Sequence, residues 1–289
     1  MLRPFRSIML ALSAALAITA CAPTAQNTPQ SLAQERQRGL QMVAQMDKKG
    51  QIIKDRRLNN YLNGIKDRIV ATRPPGSVPI DVFIADRPEI NAGTTGGGVV
   101  VFFLGMLGAM ENEAQLAAVM AHEIAHIDRG HVQAGAANRQ AVQLGAAIAQ
   151  IGAAAAGINS GLTDLAIGVG AQGFASNFSR TQESDADNIG MQYLARSGYN
   201  ALEGAKSFAV LQRIYGNSQG VASFFASHPA PGNRLATLSS QARQLGATKG
   251  RIGTKTHNRA TRKYRRKLLG HYEKNGKPRE AAQIRKTLR

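Results

Sequence analysis

The chain of 289 residues has one cysteine, at position 21 in its N-terminal segment. An internal disulfide is therefore excluded, and so is a cysteine nucleophile in the body of the protein. No G-x-S-x-G elbow occurs, which leaves a serine hydrolase without a candidate. Acids are scarce, 18 Asp and Glu against 36 Lys and Arg. The imbalance is local. Beyond residue 242 there are 16 Lys and Arg and two Glu, giving +14 of the chain's +18, while residues 21–242 carry only about +2. The basicity belongs to a tail. Long apolar runs are missing too. The run in "MLRPFRSIMLALSAALAITAC" is too short and wrongly flanked for a stable membrane span. The Ala- and Gly-rich stretch 135–178 lacks the Leu, Ile and Phe density of a span and carries Gln, Asn, Ser and Asp164. It reads as close-packed helices covering a site.

What is present is a dense group of imidazoles. "AVMAHEIAHIDRGH", residues 118–131, holds three histidines and a glutamate within ten positions. Helical residues advance about 100° each, so His122 and His126 lie about 40° apart on one face, one turn above the other. Two imidazoles so placed can share one metal ion without distorting the backbone. Glu123 flanks that face, where it can activate a water. This is the H-E-x-x-H pattern of zinc peptidases, with the glutamate as general base. Leu116, Val119, Met120 and Ile124 recur at helical spacing, Asn112 is a fitting N-cap, and Gly130 a fitting stop.

A catalytic zinc takes three protein ligands and leaves a fourth position open. His131 lies about 140° round an unbroken helix from His126, which disfavours it as a ligand and suits an outer or surface role. The metzincin pattern needs a histidine at 132, where this chain has Val132. Downstream, "SRTQESDADNIGMQYLARSGY" places Glu183 and Asp187 four apart on one face of a second expected helix. Glu183 can complete a His-His-Glu site, and Asp187 can accept the N–H of a ligand histidine. The competing reading is a solvated acidic helix start, since Glu183, Asp185 and Asp187 all suit the N-terminal dipole.

"HEIAH" followed by the E-x-x-A-D form of "ESDAD" resembles the M-48 metallopeptidase family, the gluzincins. The resemblance runs from about residue 85 to about 240 and takes in "SHPAPGNRL". It implies His122, His126 and Glu183 as ligands of one Zn²⁺ per chain, Glu123 as catalytic base and Asp187 as an outer partner. It also implies two further roles. His228, before Pro229, matches a loop histidine that can sit in the open position and hold such enzymes latent. Arg234 matches an arginine suited to stabilising an oxyanion. The implied fold is α+β, a mostly α-helical zincin-like domain with a small β-sheet, and a C-terminal helical hairpin follows it.

The rest of the chain falls into parts. Residues 1–20 read as a lipoprotein signal peptide, with "AITAC" as a lipobox that makes Cys21 the lipidation site; ordinary cleavage after Ala22 is the alternative. Ala22 after the cysteine favours the outer membrane, with the protein facing the periplasm. A flexible tether follows over 21–31, the peptidase domain over 32–245, a linker over 246–258 and a basic hairpin over 259–289. In that hairpin Leu268, Tyr272, Gly276 and Ala281 fall at the spacing of a tetratricopeptide repeat. "VPIDVFIAD" and "GGGVVVFFLG" read as strands, the second either a place where an extended substrate can pair or a buried core strand. The expected substrates are unfolded or misfolded proteins. The tail suits anionic phospholipid or an acidic envelope protein, or serves only as a solvated face; export argues against nucleic acid. The alternative to an endopeptidase is a chaperone-like or membrane-binding envelope protein with a latent zinc site.

Overall fold

A computed structural model of the protein describes residues 29–135, 178–215, 224–229 and 233–289. The signal segment, Cys21 and most of the tether lie outside these residues, as does nearly all of the Ala- and Gly-rich stretch. Along the described residues run α1 (Pro29–Lys48), α2 (Arg56–Val70), β1 (Asp81–Ala85), β2 (Ala92–Gly96), β3 (Val99–Phe103), α3 (Leu104–Ala109) and α4 (Glu113–Asp128). They continue with α5 (Arg180–Arg196), α6 (Ala201–Tyr215), α7 (Phe224–Ser227), α8 (Arg234–Gln244), α9 (Thr254–Lys274) and α10 (Pro278–Leu288). The result is mostly helical with one small sheet. No helix among the described residues is long and apolar enough to cross a membrane.

The sheet has the order β1-β3-β2, with β3 parallel to β1 and antiparallel to β2. Every residue of β3 is buried. Of the two readings of this strand, the buried core strand is the one observed, and the pairing edge is corrected: an apolar, β-branched run buried on both faces takes the centre, and the edges fall to β1 and β2. The turn from β2 to β3 runs through Gly96, Gly97 and Gly98, all at positive φ. Gly98 has a second reason to be glycine, since a Cβ there would fall 1.9 Å from the carbonyl oxygen of Pro79.

Beneath the sheet, α2 buries Leu58, Leu62, Ile65 and Ile69, one stripe at helical spacing. Asp55 caps that helix by accepting the N–H groups of Arg57 and Leu58. One hydrophobic core joins this stripe to α3, α4, α5 and α6. The same core includes Tyr264, Leu268 and Tyr272 of α9 and Ala281 and Ile284 of α10. Helix α9 begins at Thr254, inside the stretch read as linker, and α1 begins at Pro29, inside the tether.

Candidate active site

Both ends of α4 are fastened. Asn112 accepts the N–H of Gln115, which caps the start. In the first turn Glu113 is buried, accepts the hydroxyl of Tyr199 at 2.8 Å and pairs with Arg251. In the last turn Asp128 accepts Nε of Arg73 at 2.8 Å and the hydroxyl of Tyr193 at 3.0 Å. Gly130, at φ 65°, ends the helix as its position suggests. The middle of α4 is thereby held rigid and buried, and that is where His122, Glu123 and His126 sit.

Helix α5 packs along α4. It starts with a capping box in which Ser179 accepts the N–H of Gln182 and Gln182 reaches back to Ser179. Glu183 and Asp187 are buried rather than solvated, so the acidic-start reading fails for both. Only Asp185 behaves that way, paired with Arg129 at 2.6 Å. The helices approach closely at Gly190, where an added Cβ would lie 3.1 Å from the backbone nitrogen of His122.

One donor atom each from His122, His126, Glu183 and His228 lie within 4.8 Å of one another, all buried. Nε2 of His126 is 3.0 Å from Nε2 of His122 and 3.2 Å from a Glu183 oxygen. Nδ1 of His228 is 2.9 Å from the same Glu183 oxygen. The outer faces of the rings are held. His122 Nδ1 lies 3.1 Å from Asp187, leaving Nε2 to face the cluster. His126 Nδ1 meets Nδ1 of His131 at 2.9 Å, and His131 Nε2 lies 3.2 Å from Asp185. Phe178 stacks on His126 and Phe224 on His228, sealing the group with apolar rings.

This arrangement fits a cation. Two imidazole nitrogens facing each other at 3.0 Å present opposed lone pairs unless a proton or metal lies between them. Both Glu123 oxygens are buried without a hydrogen-bond partner, and so is Oε2 of Glu183. Such orphans ask for a partner. A set of borderline imidazoles with one hard carboxylate suits zinc.

A profile of Peptidase family M48 matches residues 37–242. The chain belongs to peptidase family M48. It is 31% identical over 222 residues to the Beta-barrel assembly-enhancing protease of Escherichia coli (strain K12), covering 74% of this chain and 45% of that one. It is 27% identical over 249 residues to Metalloprotease LoiP of the same organism, covering 79% of this chain and 93% of that one. A Mitochondrial metalloendopeptidase OMA1 of Arabidopsis thaliana is 26% identical over 195 residues, 68% of this chain and 38% of the relative. The chain thus spans about half the length of the Beta-barrel assembly-enhancing protease.

The electrostatics of this M-48 site follow from burial. Burial raises the pKa of Glu123, partly offset by the neighbouring His228 and His122. Burial also opposes charge on Glu183, yet His228 and His122 outweigh it and hold Glu183 well below the usual carboxylate range. His122 resists the same penalty through Glu183 and Asp187, which lift its pKa to about 9. Burial pushes His126 and His131 down, favouring neutral rings.

Arg234 lies among the acids. Its Nη2 donates to Asp187 at 2.6 Å, and Nη1 is 3.0 Å from Glu183 without hydrogen-bond alignment. Its guanidinium also covers the ring of Phe208 at 4.0 Å. A groove of about 560 Å³ between α5 and α8 opens onto Asp187 and Arg234. Sequence spacing pointed to His122, Glu123, His126, Glu183 and Asp187, and the structure brings them together with His228 and Arg234. It did not single out Phe178 or the contact from His131 to His126.

Proposed function

We propose that the protein is a zinc-dependent endopeptidase of the bacterial cell envelope, hydrolysing misfolded or stalled envelope proteins. The observation that carries this reading is the convergence of His122, His126 and Glu183 on one buried point, with the unpartnered carboxylate of Glu123 beside them. Those three would hold the ion. Bound there, zinc lowers the pKa of a water and polarises the scissile carbonyl.

The remaining steps belong to the chain. Glu123, with its pKa raised by burial, takes a proton from the attacking water and delivers it to the leaving amine. Asp187 and His131 fix the two imidazoles so that each turns Nε2 towards the cluster. Arg234 is engaged with Asp187 and Glu183, which supports a positioning role beside its expected oxyanion role. The outer edge of β2, rather than β3, is the strand edge on the α4 side for an extended peptide.

His228 supports a latent resting state. Its ring contacts Glu183 at 2.9 Å and stands 3.4 Å from Glu123, where substrate and water would need room. Lipid anchoring at Cys21, a periplasmic location at the outer membrane and a repeat-like hairpin at 259–289 complete the proposal on their sequence signals. Glu123→Gln should keep zinc and lose about 10²- to 10⁴-fold in cleavage of an unfolded protein. Wild-type turnover in that variant would refute the base. His228→Ala should raise the rate; an unchanged rate would remove the latch. The alternative, a chaperone-like envelope protein with a latent zinc site, requires that Glu123→Gln leave function intact.

A further inference from the structure

The tail's positive charges are not all idle. Lys267 pairs with Asp86, Arg285 with Glu273 and Lys286 with Glu111. A different group borders a pocket of about 510 Å³ between the first turns of α2 and α9 and the end of α10: Arg57, Lys255, Arg259, Arg262, Arg289 and the buried Arg265. Among the described residues no carboxylate, the terminal one included, comes within 4.0 Å of any of these six cations. The acid nearest in sequence, Asp55, is taken up by the hydroxyl of Tyr264 and the N–H groups of Arg57 and Leu58.

Arg265 sharpens the case. It is 1% exposed, and its hydrogen bonds go only to neutral oxygens: the carbonyls of Gly108, Met110 and Thr287 and the side-chain amide of Asn258. Burial lowers its pKa to about 10. Arg265 is thus a buried positive charge in the pocket wall, with Glu111 acting on it only at longer range, and the other five cations border the same pocket.

We propose that this pocket binds a phosphate-bearing anion. Cationic side chains from α2, α9 and the residue after α10 line it, and a phosphate presents oxygens on several sides, whereas a carboxylate offers a single edge. The phosphate can come from a lipid headgroup or a soluble phosphate compound.

The test uses the full chain. Calorimetric titration with pyrophosphate and flotation with phosphatidylglycerol or phosphatidylcholine vesicles would compare wild type with two charge-reversed pairs. Arg259→Glu with Arg262→Glu alters the pocket rim. Lys274→Glu with Lys277→Glu makes the same change in net charge about 20 Å along the hairpin. All four side chains are exposed, and thermal midpoints verify that each variant folds. Wild type should bind pyrophosphate, the rim pair should bind at least tenfold more weakly, and the distal pair within about twofold of wild type. Capture by phosphatidylglycerol but not phosphatidylcholine vesicles, lost in the rim pair, assigns the headgroup; pyrophosphate binding without vesicle capture assigns a soluble ligand. Equal weakening in both pairs, no binding by wild type, or tighter binding of poly-glutamate than of pyrophosphate overturns the proposal.

Discussion

Each imidazole in the site has two nitrogens, and what holds one decides what the other can do. For His126 the holder is His131, which accepts at Nδ1 and passes its own Nε2–H towards Asp185. Removing such an outer partner typically lowers metal affinity about 10- to 100-fold. His131→Ala should therefore weaken zinc binding in that range in a chelator competition, with the fold retained; unchanged affinity would make His131 a bystander. The sequence allowed His131 only an outer or surface place, for an identifiable reason. An angle of about 140° describes an unbroken helix, but the left-handed Gly130 breaks it and swings the residue back under His126. His122, Glu123 and His126 were legible because helical spacing within one element needs no tertiary knowledge. That Glu183 meets them is a matter of two helices packing, which no local pattern encodes.

At the scale of elements, the site depends on how closely α5 lies against α4. Gly190 sets that distance, since any larger residue meets the backbone of Ala121 and His122. Gly190→Val should force the helices apart, at about 1–3 kcal/mol of overpacking, and move Glu183 away from the imidazoles. A urea midpoint and a zinc titration would both fall; stable protein with full zinc affinity would contradict the packing argument. Strands β1 and β3, the N-cap of α4 and its stop were readable from strand pattern and capping residues. Strand β2 was not. Its sequence, "AGTTG", has little β propensity, and it forms because β3 offers a partner with a glycine turn between them. The same reasoning leaves β2 at an edge of the sheet and β3 at its centre.

Across the whole molecule, the basic tail and the peptidase domain share one core, so removing residues 247–289 would expose the surfaces that Leu268 and Ile284 cover. Truncation therefore tests stability, and point variants test function. His257 is the hinge of that union: its Nε2 lies 3.0 Å from the carbonyl of Met110 and its Nδ1 2.8 Å from the hydroxyl of Tyr61. Burial, reinforced by Arg265, holds its pKa down to about 3, against about 6.5 in an unfolded chain. Below about pH 6.5 the unfolded state takes up a proton that the folded state refuses. Stability from this residue is thus full above that pH and declines by up to about 1.4 kcal/mol per unit as pH falls towards 3. His257→Gln should be less stable than wild type at neutral pH, with the gap closing on acidification; a gap constant with pH would contradict this. The central claim concerns the ion. Metal content per chain, measured for wild type and for His122→Ala, His126→Ala and Glu183→Ala, addresses it most directly. One zinc per wild-type chain and marked loss in each variant is the predicted result; stoichiometric zinc retained in any of the three, or a wild type without zinc that still cleaves protein, would contradict it.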